Sequence, residues 1–179
     1  MSHPTDIHTG IYPEEADELE RLATGKRVIE FGTWHGFSAV VMGRVAASLT
    51  TVDWHHGDDQ AGVEETLPKY IANLEAYGLR NKVVTIVGQF PNVAPILARD
   101  HFEVGFLDGK HDRASVDRDL WLIASLLDRP GCILACHDYD RTLGNVRFEV
   151  IDAVEDWHAN HPEWVRSHVV RSLYVMVHQ

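Results

Sequence analysis

Four side chains in two short stretches could do chemistry together: Asp108 and His111 in "FLDGKHDR", and His137 and Asp138 in "GCILACHDYD". In each stretch an apolar run stops and carboxylate and imidazole groups follow at once. Such groups hold divalent cations and move protons near neutrality, since an unperturbed imidazole titrates at ~6.5. Asp-Gly is also good turn chemistry, so Asp108-Gly109 alone fits the plain end of a strand. If the two runs are adjacent parallel strands, their carboxyl ends bring Asp108, His137 and Asp138 within side-chain reach. Two facing anions are unfavourable unless a cation or a shared proton offsets them. The cluster therefore predicts a metal site or, equally, a loop hydrogen-bond network without metal.

A second set of residues sits nearer the N-terminus. In "VIEFGTWHGFSA", Gly32, Thr33 and Gly36 lie between a strand-like run and a helix-like one. Glycine there lets the backbone turn tightly and lets a ligand approach closely. The spacing is G-x-x-x-G rather than the G-x-G-x-x-G that carries pyrophosphate on a helix N-terminus. An acid, Glu30, precedes the first glycine by two residues. A carboxylate is a poor neighbour for pyrophosphate and a good one for an ammonium group. Asp53, in "TTVDW", lies about 20 residues past the turn, the spacing at which a carboxylate reaches a ribose diol. An ammonium partner plus a ribose partner describes S-adenosylmethionine (SAM).

These residues need a scaffold of alternating strands and helices. "YPEEADELERLA" predicts a first helix, with acids in its first turn and Leu19 and Leu22 on one side. "KRVIEFG", "TTVDW", "KVVTIVG", "EVGFLDG" and "GCILACHDYD" read as five strands. Between them lie a buried helix in "FSAVVMGRVAASL", a helix near 64–77 stopped by Gly78, a short helix in "NVAPILARD", and an amphipathic helix after Asp112. Asp112 is a suitable N-cap, and Val116, Leu120, Ile123 and Leu127 share one face. "VRFEVIDAVEDWHAN" predicts a further helix from the spacing of Val146, Val150 and Val154, and "WVRSHVVRSLYVMV" a terminal hairpin. The pattern implies an α/β fold, Rossmann-like and doubly wound, with a mostly parallel sheet and a C-terminal antiparallel hairpin. Ligands of such sheets bind at the carboxyl ends of the strands.

The ordered set "VIEFGTWHGFSA", "TTVDW", "NLEAYGLRNKVVTIVG", "FLDGKH" and "GCILACHDYD" resembles the class I SAM-dependent methyltransferases. Within them it is similar to the small O-methyltransferase-like group with a family 24 methyltransferase domain. The resemblance covers residues 27–179, leaves 1–26 as an N-terminal helical segment, and implies a seven-stranded sheet. It implies that Glu30 lies near the methionine amine, that Gly32, Thr33 and Gly36 floor the methionine, and that Ser38 donates to its carboxylate. It likewise implies Asp53 on the ribose, Trp54 flanking the adenine, Gln89 at the adenine edge, and Asp108 beside the cofactor. Relatives that methylate catechols and macrolide sugars hold a divalent cation at the positions of Asp108, His137 and Asp138, and a general base at that of His111. They place two oxygen ligands where this chain has His137-Asp138. A histidine in that shell shifts the preference from magnesium toward manganese, iron or zinc. The alternative is that His137 is a second base or a substrate donor, which leaves Asp108, His111 and His137 as catalytic candidates. Lys110, between the glycine and the histidine, reads as a solvated lysine at a helix start.

Composition narrows the function classes. The 179 residues, 45% hydrophobic and 24% charged, suit one globular domain with a sizeable core. A net charge of -11 disfavours partners that present phosphate, so neither nucleic acid nor an anionic membrane surface is expected. The N-terminus lacks a signal-peptide pattern, so a cytoplasmic protein is expected. Cys132 and Cys136 in "CILAC" sit roughly 13 Å apart on a strand, at ~3.3 Å per residue, too far for a disulfide. "DWHHGDDQAG" reads as a flexible lid loop rather than a metal cluster, and Tyr139, Asp140 and Arg141 as lining for an acceptor pocket. The expectation is O-methylation of a small hydroxylated acceptor, with divalent-cation assistance and a homodimer as further expectations. A cofactor-binding module without methyl transfer, or a cephalosporin hydroxylase-like protein using the same cleft, are the alternatives.

Overall fold

The computed structural model describes residues 3–58, 62–98, 101–127, 129–140, 142–143, 146–147 and 149–179. Seven strands form the main sheet: β1 Arg27–Phe31, β2 Ser48–Asp53, β3 Val83–Val87, β4 Val104–Leu107, β5 Ile133–Cys136, β6 Trp164–Val170 and β7 Leu173–His178. Their spatial order is β6-β7-β5-β4-β1-β2-β3. The five strands from β5 to β3 run parallel, and β7 is antiparallel to both β5 and β6. The chain thus winds outward from β1 to β3, then crosses back to lay β4 on the other side of β1. That reversal opens a crevice between the carboxyl ends of β1 and β4.

Two helical layers cover the sheet, and the period of two along each strand assigns its side chains between them. Val28, Leu49, Val104 and Phe106 pack in one buried cluster with helices α1 Pro13–Ala23, α2 Phe37–Val45 and α3 Leu67–Ala76. Ile29, Phe31, Val52 and Leu107 pack on the opposite face with α4 Phe90–Val93, α5 Arg113–Ala124 and α6 Val150–Asn160. Glu30, alternating with Ile29 and Phe31, is therefore directed to the α2 side. Ile7 and Ile11 join Leu19 and Leu22 in the first cluster, so the N-terminal segment is part of the domain's own core.

The helices differ from expectation mainly at their starts. α3 begins at Leu67, where Pro68 occupies the first turn, rather than near Glu64. In place of one short helix across "NVAPILARD", the four-residue helix Phe90–Val93 is followed by a 3-10 turn, Ala94–Ile96, with Pro95 inside it. α6 starts at Val150, not at Val146, because Val146–Arg147 pairs with Thr142–Leu143 in a two-residue ladder. Gly144-Asn145 between those pairs is a hairpin signal that the valine spacing obscures. In the expected lid loop, Gly57–Asp58 pairs with Gly62–Val63; residues 59–61, like Arg141, lie outside the described residues. Asp112 does cap α5, accepting a hydrogen bond from the Ser115 N–H at 3.0 Å. Cys132 and Cys136 are free and buried. No helix among the described residues is long and apolar enough to cross a membrane.

Candidate active site

Main-chain hydrogen bonds carry each strand's order one residue further, into the residues that matter. The Gly32 N–H donates to Val52 O at 2.9 Å, Asp108 N–H to Phe31 O at 2.9 Å, and His137 N–H to Leu107 O at 2.9 Å. Gly88 N–H does the same to Asp53 O at 2.9 Å. Gly32, Asp53, Asp108 and His137 are thus fixed by the sheet and not by free loops. Beyond them opens a cleft of about 870 Å³, within the range of small-molecule and cofactor sites.

One side of the cleft is walled by Gly32, Thr33, Ser38, Asp53, Trp54 and Gln89. Asp53 holds the glycine turn: one of its oxygens accepts from the Thr33 N–H at 2.7 Å and the Trp34 N–H at 2.9 Å. Its other oxygen accepts from the His55 N–H at 2.6 Å. About four acceptor positions exist on a carboxylate, so one remains for a ligand hydroxyl. Trp54 is 45% exposed and offers an apolar ring face at the same end.

Glu30 and Gly36 are placed behind this wall rather than on it. Gly36 has φ +87°, and a Cβ there would come within 2.7 Å of the Tyr70 ring, so this glycine serves helix packing. Glu30 is fully buried; one carboxyl oxygen accepts the Ser38 hydroxyl and the other has no hydrogen-bond partner. Burial pushes its pKa up to about 8 against the pull of Ser38, so in the ligand-free chain it is chiefly a neutral acid near neutrality. The folded chain therefore holds a proton here that the unfolded chain releases above its ordinary value of 4.5. Stability from this group is fully present below that value and is lost as pH rises through about 8. We expect Glu30→Gln to flatten the decline of the urea midpoint over that interval; a variant that tracks the parent at every pH would refute the assignment.

The other side of the cleft contains the four residues singled out first. His111 Nε2 and Asp138 Oδ2 are 2.7 Å apart, and His137 Nδ1 lies 3.2 Å from Asp138 Oδ2 and 3.4 Å from Asp108 Oδ1. Asp108, His137 and Asp138 can each offer one ligand atom, all within 4.8 Å of one another. Asp138 has φ +56°, a left-handed conformation that turns its carboxylate back toward both imidazoles. Burial raises its pKa, but the bonds to His111 and His137 outweigh that and hold it well below the usual carboxylate range. Burial likewise opposes charge on His137. The charge of Asp108, with contacts to Asp108, Asp138 and Glu15, more than offsets it and keeps the imidazole protonated well above its ordinary value. A protonated His137 can itself balance the facing carboxylates, which is the shared-proton solution to their repulsion. The N,O,O donor set also suits a divalent cation, so the residues fit either state.

Glu15 was not foreseen. Its carboxylate, on α1, accepts from His137 Nε2 at 3.0 Å. The available signal was its position: with Leu19 and Leu22 it makes an i, i+4, i+7 stripe, so an acid sits on the buried face of the helix. The segment just before α1, His8 to Tyr12, also lines the cleft, as do Trp34, His35 and Glu64. His35 Nε2 and Glu64 Oε1 are 3.0 Å apart, and the Trp34 and His35 rings stack at 4.1 Å. Asp140 lines the cleft as expected, whereas Tyr139 packs on Tyr174, ring centroids 4.6 Å apart.

Known proteins resemble this chain in sequence or in fold. Over 84 residues the chain is 40% identical to the protein-L-isoaspartate O-methyltransferase of Rhizobium meliloti (strain 1021), a match that covers 44% of this chain and only 37% of that protein. The O-methyltransferase NovP superposes with a TM-score of 0.76 at 17% identity, covering 98% of this chain and 84% of that one. The O-methyltransferase from Bacillus cereus in complex with SAH does so with a TM-score of 0.70 at 17% identity, covering 93% and 82%. These superpositions show the fold. The sequence model of a methyltransferase domain matches residues 29–139, which include both the Gly32 turn and the Asp108–Asp138 cluster, and the chain belongs to that methyltransferase domain family.

Proposed function

We propose that the cleft binds SAM and transfers its methyl group to a hydroxyl oxygen of a small acceptor, with a divalent cation held by Asp108, His137 and Asp138. The observation that carries this reading is the meeting of Asp108, His111, His137 and Asp138 beside the Gly32 turn, where β4 and β1 end together. SAM, when bound, supplies an electrophilic methyl group. A divalent cation in the site supplies positive charge that lowers the pKa of the acceptor hydroxyl.

The remaining work falls to the chain. Gly32, whose missing Cβ makes room for the Asp108 backbone, forms the turn that faces the cofactor's methionine end, with Thr33 and Ser38 beside it. Asp53 has an acceptor position for a ribose hydroxyl, and Trp54 and Gln89 flank the adenine end. His111, held by Asp138, takes the hydroxyl proton as the carbon–oxygen bond forms and the carbon–sulfur bond breaks. His8 to Tyr12 close the acceptor side, so no separate substrate domain is needed for a small acceptor.

Asp53→Ala should weaken SAM binding by about 1.5–3 kcal/mol through the loss of one charge-assisted hydrogen bond. It also leaves the Thr33, Trp34 and His55 N–H groups without their acceptor, so thermal stability should fall alongside. An isothermal titration that finds unchanged affinity would remove Asp53 from the cofactor site. The function itself is tested by titrating the protein with SAM and SAH, then following labelled methyl from SAM into a panel of small diols and phenols. Absence of binding at micromolar concentration sinks the cofactor assignment. Activity indifferent to chelator and to metal add-back removes the cation, and transfer to a peptide carboxylate instead of a hydroxyl overturns the acceptor class.

A further inference from the structure

Glu15 is completely buried, yet both of its carboxylate oxygens are met by hydrogen-bond donors. One oxygen accepts from the Tyr12 N–H at 2.8 Å and from His137 Nε2 at 3.0 Å. The other accepts from the Ser172 N–H and the Ser172 hydroxyl, both at 2.7 Å. Those four bonds fill the acceptor capacity of a carboxylate, so Glu15 has no position left with which to ligate a cation itself. It also locks the α1 start and the β6–β7 turn onto one imidazole.

The consequence falls on His137. An imidazole that donates from Nε2 to a buried carboxylate presents Nδ1 to whatever lies opposite. Here that is the pair of carboxylates, Asp108 Oδ1 at 3.4 Å and Asp138 Oδ2 at 3.2 Å. His137 is 6% exposed, and Nδ1 is enclosed between the two carboxylates without a hydrogen-bond partner. A buried nitrogen beside two carboxylates, hydrogen-bonded to neither, has the surroundings of a ligand atom.

We propose that Glu15 is the positioning residue of a nitrogen-containing cation site. It fixes the Nε2–H tautomer of His137 so that Nδ1 joins Asp108 and Asp138, and the site takes manganese, cobalt or zinc in preference to magnesium. Magnesium favours an octahedral shell of oxygens and keeps its waters, whereas imidazole suits the later divalent metals. A carboxylate behind a ligating histidine sets ring orientation and raises the basicity of the nitrogen, and losing it typically lowers metal affinity 10–100-fold. Glutamine at position 15 would turn an amide N–H toward Nε2, favour the opposite tautomer, and put a proton on the nitrogen meant for the metal.

The inference rests on the reading of the cleft as a metal-assisted site, and its test omits cofactor and acceptor so that the two can fail separately. Manganese binding to the purified chain is followed by the electron paramagnetic resonance signal of the free ion, with magnesium as competitor. Glu15→Gln should weaken manganese binding 10–100-fold, while Asp17→Asn on the exposed side of α1 should leave it unchanged. Magnesium in tenfold excess should fail to displace manganese from the parent chain. If Glu15→Gln does not fold, imidazole nitrogen resonances of the zinc-loaded parent decide: Nε2 should stay protonated and Nδ1 should shift as a metal ligand. Unchanged manganese affinity in a folded Glu15→Gln variant, ready displacement by magnesium, zinc on Nε2, or no divalent binding at all would each overturn the proposal. In the last case methyl transfer that persists leaves the proposed function standing without a cation.

Discussion

Replacing His111 with alanine should lower methyl transfer by about 10²–10⁴-fold while SAM affinity stays within a factor of about two, the span that a positioned general base contributes. The argument starts from position. His111 follows the Asp108-Gly109 turn, and the Asp112 cap fixes the start of α5 immediately after it. The imidazole lines the cleft, and its side chain is 23% exposed, open enough to meet an acceptor and shielded enough to be held. Its Nε2 is 2.7 Å from Asp138 Oδ2, the pairing that orients an imidazole base and stabilises its charged form after proton transfer. Removing the ring takes away the proton acceptor without touching the Asp53 end of the cleft, so kcat should fall and the cofactor titration should not move. Added imidazole should restore part of the rate in His111→Ala. Turnover within a few-fold of the parent, with no response to imidazole, would place the base elsewhere.

The chemistry of this chain was more legible along its strands than across its layers. Apolar runs ending in Gly32, Asp53, Asp108 and His137 could be read directly, because parallel strands align their carboxyl ends whatever covers them. The placement of Glu30 could not be read, since period two shows only that it opposes Ile29 and Phe31, not how deeply α2 buries it. Depth turns it from an expected anion into a largely neutral acid beneath the loop. Asp53 was expected to face a ligand, and most of its acceptor capacity instead holds the turn, because three loop N–H groups needed an acceptor there. Glu15 meets His137 across 122 residues of chain, a contact set by how α1 lies over the sheet, and no local spacing encodes it. Its presence on an otherwise apolar helix face was the only trace, since a buried acid implies a partner without naming one.

The largest expected structural effect belongs to Gly32→Ala. Its φ of +87° already disfavours any side chain, and a Cβ at this position would lie 1.9 Å from the Asp108 carbonyl oxygen and 2.6 Å from its carbonyl carbon. Both clashing atoms are backbone, so no rotamer relieves the contact. The two segments would have to part where Asp108 N–H bonds Phe31 O and Gly32 N–H bonds Val52 O, the links that hold β4, β1 and β2 together at the cleft. Left-handed strain of about 1–2 kcal/mol and overpacking of about 1–3 kcal/mol sum to a loss of roughly 2–5 kcal/mol, a large share of an ordinary domain's stability. Gly25 is the control: its φ is +71°, but nothing lies within 4 Å of a Cβ there, so Gly25→Ala carries only the conformational part. Gly36→Ala should fall between them, because the ring of Tyr70 at 2.7 Å can yield where a carbonyl cannot. Urea unfolding of the three variants should rank Gly32→Ala well below Gly36→Ala, and that below Gly25→Ala. Equal losses at positions 25 and 32 would mean that the β1 turn does not press on Asp108. The approach of those two backbones is what sets the Asp108 carboxylate beside the glycine turn, so Gly32→Ala should lose the cation site and the cofactor cleft together.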